Sequence, residues 1–256
     1  MKIKLLIKNA CIITMDSERR ILTQSAIAVN GDTIVAIGKT AEVEARYTAE
    51  RVIDARGKLI FPGLISTHTH LFQTLLKGLG KDKPLFEWLN NSIRPLLHRY
   101  TKEAMYYAAL IGLIEAVRTG TTTVTDYQYC HSDKGFDLPV IEAFEKLGMR
   151  GVLSKAHTDV SGFPKEIACL FRETEEDYFR DLEVLCREYA GHPLISMSLA
   201  PGIIWDHSRE GYRRTREIAD KYHIPITMHV VETIDDDEYA LKTWNKRTKN
   251  PDIALA

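Results

Sequence analysis

The sequence predicts an α/β protein built as a (β/α)8 barrel, with about five of the eight units in this chain, preceded by part of a small β-sandwich. Three observations predict it. Residues 1–60 are rich in Ile and Val and punctuated by turns. From Gly63 onward strand-like and helix-like stretches alternate in units of roughly 30 residues, which implies parallel strands with right-handed crossovers. Neither GxGxxG nor the P-loop glycine pattern follows the first of these strands, so the nucleotide-binding form of a doubly wound sheet loses support and the barrel is favoured.

The leading module reads as the strands KLLIKNACIIT, SAIAVNGDTIVAIG and ERVIDARGKLI, with Asn30-Gly31-Asp32 supplying a hairpin signal. So few strands cannot cover both faces of a sheet. The barrel strands are LISTHTH (64–70), TTTVTDY (121–127), RGVLSKAH (150–157), LISMSLA (194–200) and IPITMHVV (224–231). Residues 71–120 hold two helical segments, one of them containing Pro95. The helix from Thr101 to Thr119 has a threonine cap, Glu103 in its first turn and Gly120 as its stop. Thr174-Glu175-Glu176-Asp177 resembles a capping box. It opens a helix with Tyr178, Leu182, Leu185 and Tyr189 on one face, ending at Gly191. Ser208 caps a third helix, in which Tyr212, Thr215, Ala219 and Tyr222 share a side.

Composition narrows the class without naming a function. The 256 residues are 45% hydrophobic and 27% charged, as in an ordinary globular protein. A formal net charge of −1 with scattered Lys and Arg leaves no electrostatic footprint for nucleic acid or an anionic membrane. Lysines 2, 4 and 8 interrupt the apolar residues of the amino terminus, unlike a signal peptide. The longest uncharged apolar run, Ala104 to Ile114, is too short to span a bilayer. Cys11, Cys130, Cys169 and Cys186 form no CxxC pair and fit a reducing cytoplasm.

Chemistry enters with His68 and His70. Strand residues at i and i+2 share a face, with α-carbons about 6–7 Å apart, a separation that suits two ligands of one metal ion. Taken alone, the pair reads equally well as two strand histidines. MHVVE places His229 near the end of the fifth strand and Glu232 just beyond it. In a barrel, His68, His70 and His229 share the carboxyl rim where active sites lie. Three histidines converging there make an open catalytic metal site, not a closed structural one, with Glu232 near enough to take a proton from water without being a ligand. Taken alone, His229 reads as a buried, hydrogen-bonded histidine.

Other residues carry weaker readings. Asp126, near the end of the second strand, either orients a ligand imidazole or caps the next turn. His157 ends the third strand at the same rim and is a candidate for facing the pocket. Trp205 and His207 follow the fourth strand on a rim loop that meets substrate or is an ordinary surface loop. Asp235, Asp236 and Asp237 read as a solvated acidic loop.

DARGKLIFPGLISTHTH, LLKGLGKDKPLFEWL, AVRTGTTTVTDY and MHVVE together resemble the amidohydrolase superfamily. Within it they are most similar to the cytosine-deaminase-like group: triazine hydrolases, S-adenosylhomocysteine and methylthioadenosine deaminases, and guanine-type deaminases. The resemblance implies that residues 1–60 are part of a composite β-sandwich domain. It implies that 61–256 are the amino-terminal portion of a metal-dependent hydrolase barrel. It assigns one Zn²⁺ or Fe²⁺ to His68, His70 and His229, and a proton-shuttling role to Glu232. Gln73 and Trp88 are implied to line the ring pocket, although Trp88 beside Phe86 and Leu89 also reads as packing.

The implied activity is hydrolytic deamination of a purine, pyrimidine or triazine-like ring by metal-activated hydroxide, with Glu232 moving the protons. The partner is then a small aminoheterocycle. Chloride displacement, hydrolysis of a cyclic amide, and an inactive truncated module are the alternatives. Binuclear relatives carry a carbamylated bridging lysine on strand four, where LISMSLA has none, so Lys155 is not expected in that role and a mononuclear site follows. The group's strand-six histidine and its aspartate after strand eight fall beyond Ala256. The chain is therefore expected to be an amino-terminal portion of a longer enzyme or one piece of a split one, inactive alone. A homo-oligomer is expected of the full-length form, and a complementing chain of a split one.

Overall fold

Residues 1–157, 165–169, 173–202, 209–245 and 247 are described by a computed structural model, and the chain falls into two units, Met1–Gly63 and Leu64–Ala256.

The first unit is a five-stranded sheet of β1 (Lys2–Ile13), β2 (Ile21–Asn30), β3 (Thr33–Lys39), β4 (Thr48–Asp54) and β5 (Leu59–Ile60). The strand order is β3-β2-β1-β4, with β5 also pairing β1. Asn30 pairs with Thr33 across a two-residue turn. Gly31 at φ +64° supplies the left-handed conformation that such a turn requires. The sequence reads as strands alone here, yet TAEVEAR folds as helix α1 (Thr40–Arg46). One apolar residue accounts for it: Val43 packs on Ile3, Leu6, Ala26 and Ala28, and the helix lies in the crossover that parallel pairing of β4 with β1 requires. Ile34, Ile37 and Val52 stay exposed, as expected of a sheet that is incompletely covered.

The second unit holds four parallel strands in sequence order: β6 (Leu64–Thr69), β7 (Thr121–Gln128), β8 (Arg150–Ala156) and β9 (Ile195–Ala200). Between β6 and β7 lie a 3-10 helix (Leu71–Leu76), α2 (Leu85–Trp88), a π-helical turn (Leu89–Ile93), α3 (Arg94–Leu97) and α4 (Lys102–Arg118). Pro95 lies inside a helical run from Leu85 to Leu97, just after the π-helical turn (Leu89–Ile93) that already interrupts the regular ladder. Helices α5 (Asp137–Leu147), α6 (Lys165–Ala168), α7 (Glu175–Glu188), α8 (Arg209–Tyr222) and α9 (Ile234–Trp244) follow.

The expected caps form. The Thr101 side chain accepts from the Ala104 amide at 3.1 Å, and Thr174 with Asp177 closes a capping box on α7. Ser208 lies outside the described residues. The buried stripe of α8 is Gly211, Thr215, Ile218 and Ala219, which includes Thr215 and Ala219 of the face expected from sequence, and Tyr222 packs half-buried against the core. These helices bury Phe72, Met105, Leu113, Phe144, Phe179 and Leu182 against the sheet in one continuous core.

One expected strand is not a ladder. Residues 224–231 form isolated bridges, one of them the parallel pair Leu199 to Ile226. The Leu199 amide donates to the Pro225 carbonyl at 3.0 Å and the Thr227 amide to the Leu199 carbonyl at 2.8 Å. Pro225 has no N–H to contribute, and among the described residues no further strand pairs with its outer edge.

Candidate metal centre

His68 and His70 leave the end of β6 on one face, and His229, whose amide donates to the Gly202 carbonyl at 3.3 Å, stands at the same rim. The ligand atoms of the three imidazoles all lie within 4.8 Å of one another. Their ring centroids are 4.8 Å apart for His68–His70, 4.8 Å for His68–His229 and 5.2 Å for His70–His229. Among the described residues this is the one group of three or more His, Cys, Asp or Glu side chains gathered closely enough to share an ion.

Strand β7 templates the arrangement. His70 Nδ1–H donates to the Tyr127 carbonyl at 2.7 Å, which leaves Nε2 with its lone pair directed elsewhere. The next amide, that of Leu71, donates to the Asp126 carboxylate at 2.7 Å. Two consecutive residues of β7 thus fix a candidate ligand and the start of the 3-10 helix behind it, whose Leu71 and Phe72 are buried. Burial pushes the His70 imidazole down to about 3, with His229 and His68 adding to the shift. Burial, then His68, lowers His229 to about 4. Both rings are therefore neutral at physiological pH, the form that ligates a metal.

Glu232 stands three residues beyond His229 and its side chain remains open to solvent at the rim. Partial burial, with the Asp236 carboxylate beside it, raises its carboxyl above the ordinary range. Between them Val231 adopts φ +57°, a left-handed conformation that is costly for a β-branched residue. The acidic run after it is not a solvated loop. Asp236 is buried and closes a capping box with Thr233 at the start of α9, and its carboxylate accepts from the Glu232 amide at 2.6 Å.

The remaining sequence-derived residues divide. Gln73 donates to the Tyr129 hydroxyl at 2.6 Å, and the Tyr129 ring lies 5.0 Å from His70, so Gln73 belongs to the wall beside the cluster. Trp88 packs with the main core and lies over Gly80, where a Cβ would come within 2.1 Å of the indole. Asp126 does not orient an imidazole: its Oδ1 holds the Leu71 amide and its buried Oδ2 has no hydrogen-bond partner among the described residues. The backbone carbonyl of Tyr127 takes the orienting role instead. His157 turns toward Glu173, with Nδ1 3.9 Å from the carboxylate, and toward the Tyr178 ring. Trp205 and His207 lie outside the described residues.

Lys155 is fully buried, bonded to Asp137 at 2.8 Å and Glu173 at 2.9 Å. An ammonium clamped by two carboxylates is not the amine that carbamylation requires. This ion cluster and Tyr127 escape sequence reading. The one signal for the cluster is a lysine at an inward position of an otherwise apolar strand.

A parallel β/α sheet whose carboxyl rim gathers three histidines defines the chain as part of a (β/α)8 barrel with a histidine-rich rim site. The chain belongs to the amidohydrolase family, whose model matches residues 59–254. A 5-methylthioadenosine/S-adenosylhomocysteine deaminase of Desulfovibrio desulfuricans is 30% identical over 242 residues, covering 94% of this chain and 52% of the relative. A 5'-deoxyadenosine deaminase of Methanocaldococcus jannaschii is 34% identical over 210 residues, 82% of this chain and 46% of the relative. The crystal structure of an adenosine deaminase from Xanthomonas campestris with bound zinc superposes with a TM-score of 0.84 at 25% identity, covering 96% of this chain and 54% of that one. The chain spans about half the length of the relatives it matches.

Proposed function

We propose that this chain supplies the first three ligands and the proton carrier of a metal-dependent aminohydrolase acting on a nitrogen heterocycle. The observation that carries it is the convergence of the His68, His70 and His229 ligand atoms within 4.8 Å. The donor set fits a divalent ion: two of the imidazoles are held neutral by burial, and Tyr127 fixes one ring nitrogen of His70 so that the other is available. Such an ion supplies Lewis acidity that makes hydroxide available near neutral pH. Imidazole suits zinc and ferrous iron alike. The zinc in the Xanthomonas structure makes zinc the first ion to load.

The protein's own part is to hold and move protons. Glu232, with its raised carboxyl, takes one proton from the attacking water and passes it to the ring nitrogen, then carries the water's second proton to the departing amine. Gln73, tied to Tyr129 beside His70, lines the ring pocket. The relatives named for methylthioadenosine, S-adenosylhomocysteine and deoxyadenosine make a 6-aminopurine nucleoside the substrate class to assay first, ahead of pyrimidine or triazine rings. No helix among the described residues is long and apolar enough to cross a membrane, and the free cysteines favour the cytoplasm. The exposed apolar side chains of Ile34, Ile37 and Val52 support reading the first unit as one part of a composite sandwich. Because the chain covers about half of its relatives, the barrel's remaining units are read as further polypeptide, in the same chain or a complementing one, and a homo-oligomer is read for the full-length form.

The test is metal stoichiometry of the purified 256-residue chain supplied with zinc or ferrous iron. About one ion per chain is expected from the single cluster, lost in His68→Ala and in His229→Ala. No bound ion in the parent chain would overturn the reading. Ammonia release from adenosine is expected to need the completed barrel, so turnover by this chain alone would contradict that part.

A further inference from the structure

The histidine cluster is assembled from two parts of the fold that, among the described residues, no hydrogen-bond ladder joins directly. His68 and His70 come from β6 at one edge of the parallel sheet. His229 comes from a segment tied to the other edge by a few backbone bonds, among them His229 N–H to the Gly202 carbonyl at 3.3 Å. Strands β7, β8 and β9 lie between them. Strand pairing links the two parts only through three intervening strands, so a direct contact between them would hold the separation more closely.

Tyr127 meets every requirement. It is almost wholly buried, and its ring lies 5.9 Å from His68, 5.4 Å from His70 and 4.4 Å from His229. Its carbonyl accepts from His70 Nδ1–H at 2.7 Å. Its hydroxyl donates to the Gly202 carbonyl at 2.6 Å, the same oxygen that accepts the His229 amide. The side chain crosses β8 to reach the end of β9, and it does so over Ala156 and Ala200, two fully buried residues paired in register. Any larger side chain at either position would occupy the path of the ring. One residue therefore grips the His70 imidazole through its backbone and the His229 segment through its phenol.

Resting on the three-histidine reading above, we propose that Tyr127 is the positioning residue of the metal site. It is a strut across the barrel interior that sets the distance between the HxH pair and His229, and hence the affinity for the ion. The hydroxyl is the part that does this, because the ring alone fills space without fixing Gly202. Outer partners that orient metal-binding histidines are worth about 10- to 100-fold in affinity.

The experiment is cobalt(II) titration of the metal-free 256-residue chain against a competing chelator, with the visible ligand-field spectrum recorded at saturation. Tyr127→Phe keeps the ring and removes the hydroxyl. It should keep the parent's far-UV circular dichroism, weaken cobalt binding by about 10- to 100-fold and alter the ligand-field bands. Tyr127→Met, a second way of filling the space without a hydroxyl, should show the same loss. Tyr178→Phe removes another buried hydroxyl bond to a backbone carbonyl, that to Lys155 at 3.3 Å, away from the cluster, and should bind cobalt as the parent does. Parent-like affinity and bands in both Tyr127 variants would overturn the strut while leaving the three-histidine reading intact. Failure of the parent chain to bind cobalt would overturn that reading and the strut with it.

Discussion

His70 and Tyr127 are joined by a hydrogen bond of 2.7 Å in which the imidazole Nδ1–H donates and a β-strand carbonyl accepts. A backbone acceptor cannot be removed by mutation and does not titrate. The tautomer of His70 is therefore fixed by the fold, and metal binding should respond to the imidazoles themselves. His70→Gln, which keeps a polar side chain but loses the aromatic nitrogen, should reduce bound zinc from about one ion per chain to a trace. Equilibrium dialysis checks it.

Asp126 carries a buried carboxylate whose Oδ2 has no partner among the described residues, and burial raises its carboxyl to about 7, with Asp137 adding to the shift. A carboxyl raised on folding contributes stability that is complete below its ordinary value of about 3.9 and is lost as pH rises through the folded value. Asp126→Asn keeps an oxygen for the Leu71 amide and removes the charge. It should match the parent at pH 4 and exceed it at pH 8 by at least about 1 kcal/mol, or roughly 2–4 °C in Tm for a chain of this size. Paired thermal melts at the two pH values decide it; equal melts at pH 8 would count against it.

The Lys155 cluster has the opposite sign. Burial alone would raise the Asp137 and Glu173 carboxyls. For Asp137, His131 and Lys155 overcome it; for Glu173, His131, the neighbouring His157 imidazole and Lys155 do, and both are held below the ordinary range. Their contribution is complete above about pH 4 and declines as pH falls through the lowered values. Lys155→Met strands two buried carboxylates and should cost about 3–5 kcal/mol at pH 7. The penalty should shrink toward pH 3, where the stranded groups take up protons. Urea denaturation from pH 3 to pH 7 measures both.

Val231 at φ +57° is a prediction about strain. A β-branched residue pays roughly 1–2 kcal/mol in this conformation, and glycine adopts it freely at an entropic cost of about 0.5–1 kcal/mol. Val231 is substantially exposed, so little packing is lost with its side chain. Val231→Gly should leave stability unchanged or raise it by up to about 1 kcal/mol, against the usual direction for Val→Gly. A loss of 2 kcal/mol or more in chemical denaturation would show that the residue is not strained.

What was legible in the sequence was whatever local spacing dictates. The i, i+2 placement of His68 and His70, the Thr101 and Thr174 caps and the four parallel strands all follow from neighbours in the chain. His229 and Glu232 were legible from the strand pattern only on the assumption of a barrel, whose rim gathers strand ends far apart in sequence, and the likeness of MHVVE and the other motifs to a family supplied their roles. Helix α1 escaped because seven residues with a single buried valine carry no helical periodicity. The 224–231 segment has strand composition, but strand structure needs partners on its edges, and Pro225 removes one donor. The acidic triplet was misread because burial of Asp236 depends on the cap that Thr233 begins. Tyr127 was invisible for a deeper reason. Its role depends on alanines at two positions far away in sequence, Ala156 and Ala200, which matter only once β7, β8 and β9 lie side by side.

The central claim is that His68, His70 and His229 hold one divalent ion. X-ray absorption spectroscopy of the zinc-loaded chain tests it most directly. A first shell with three imidazole nitrogens at about 2.0–2.1 Å and the rest oxygen, reduced by one imidazole or lost altogether in His229→Ala, is the expected result. A shell containing sulfur at about 2.3 Å, or one unchanged by His229→Ala, would contradict it.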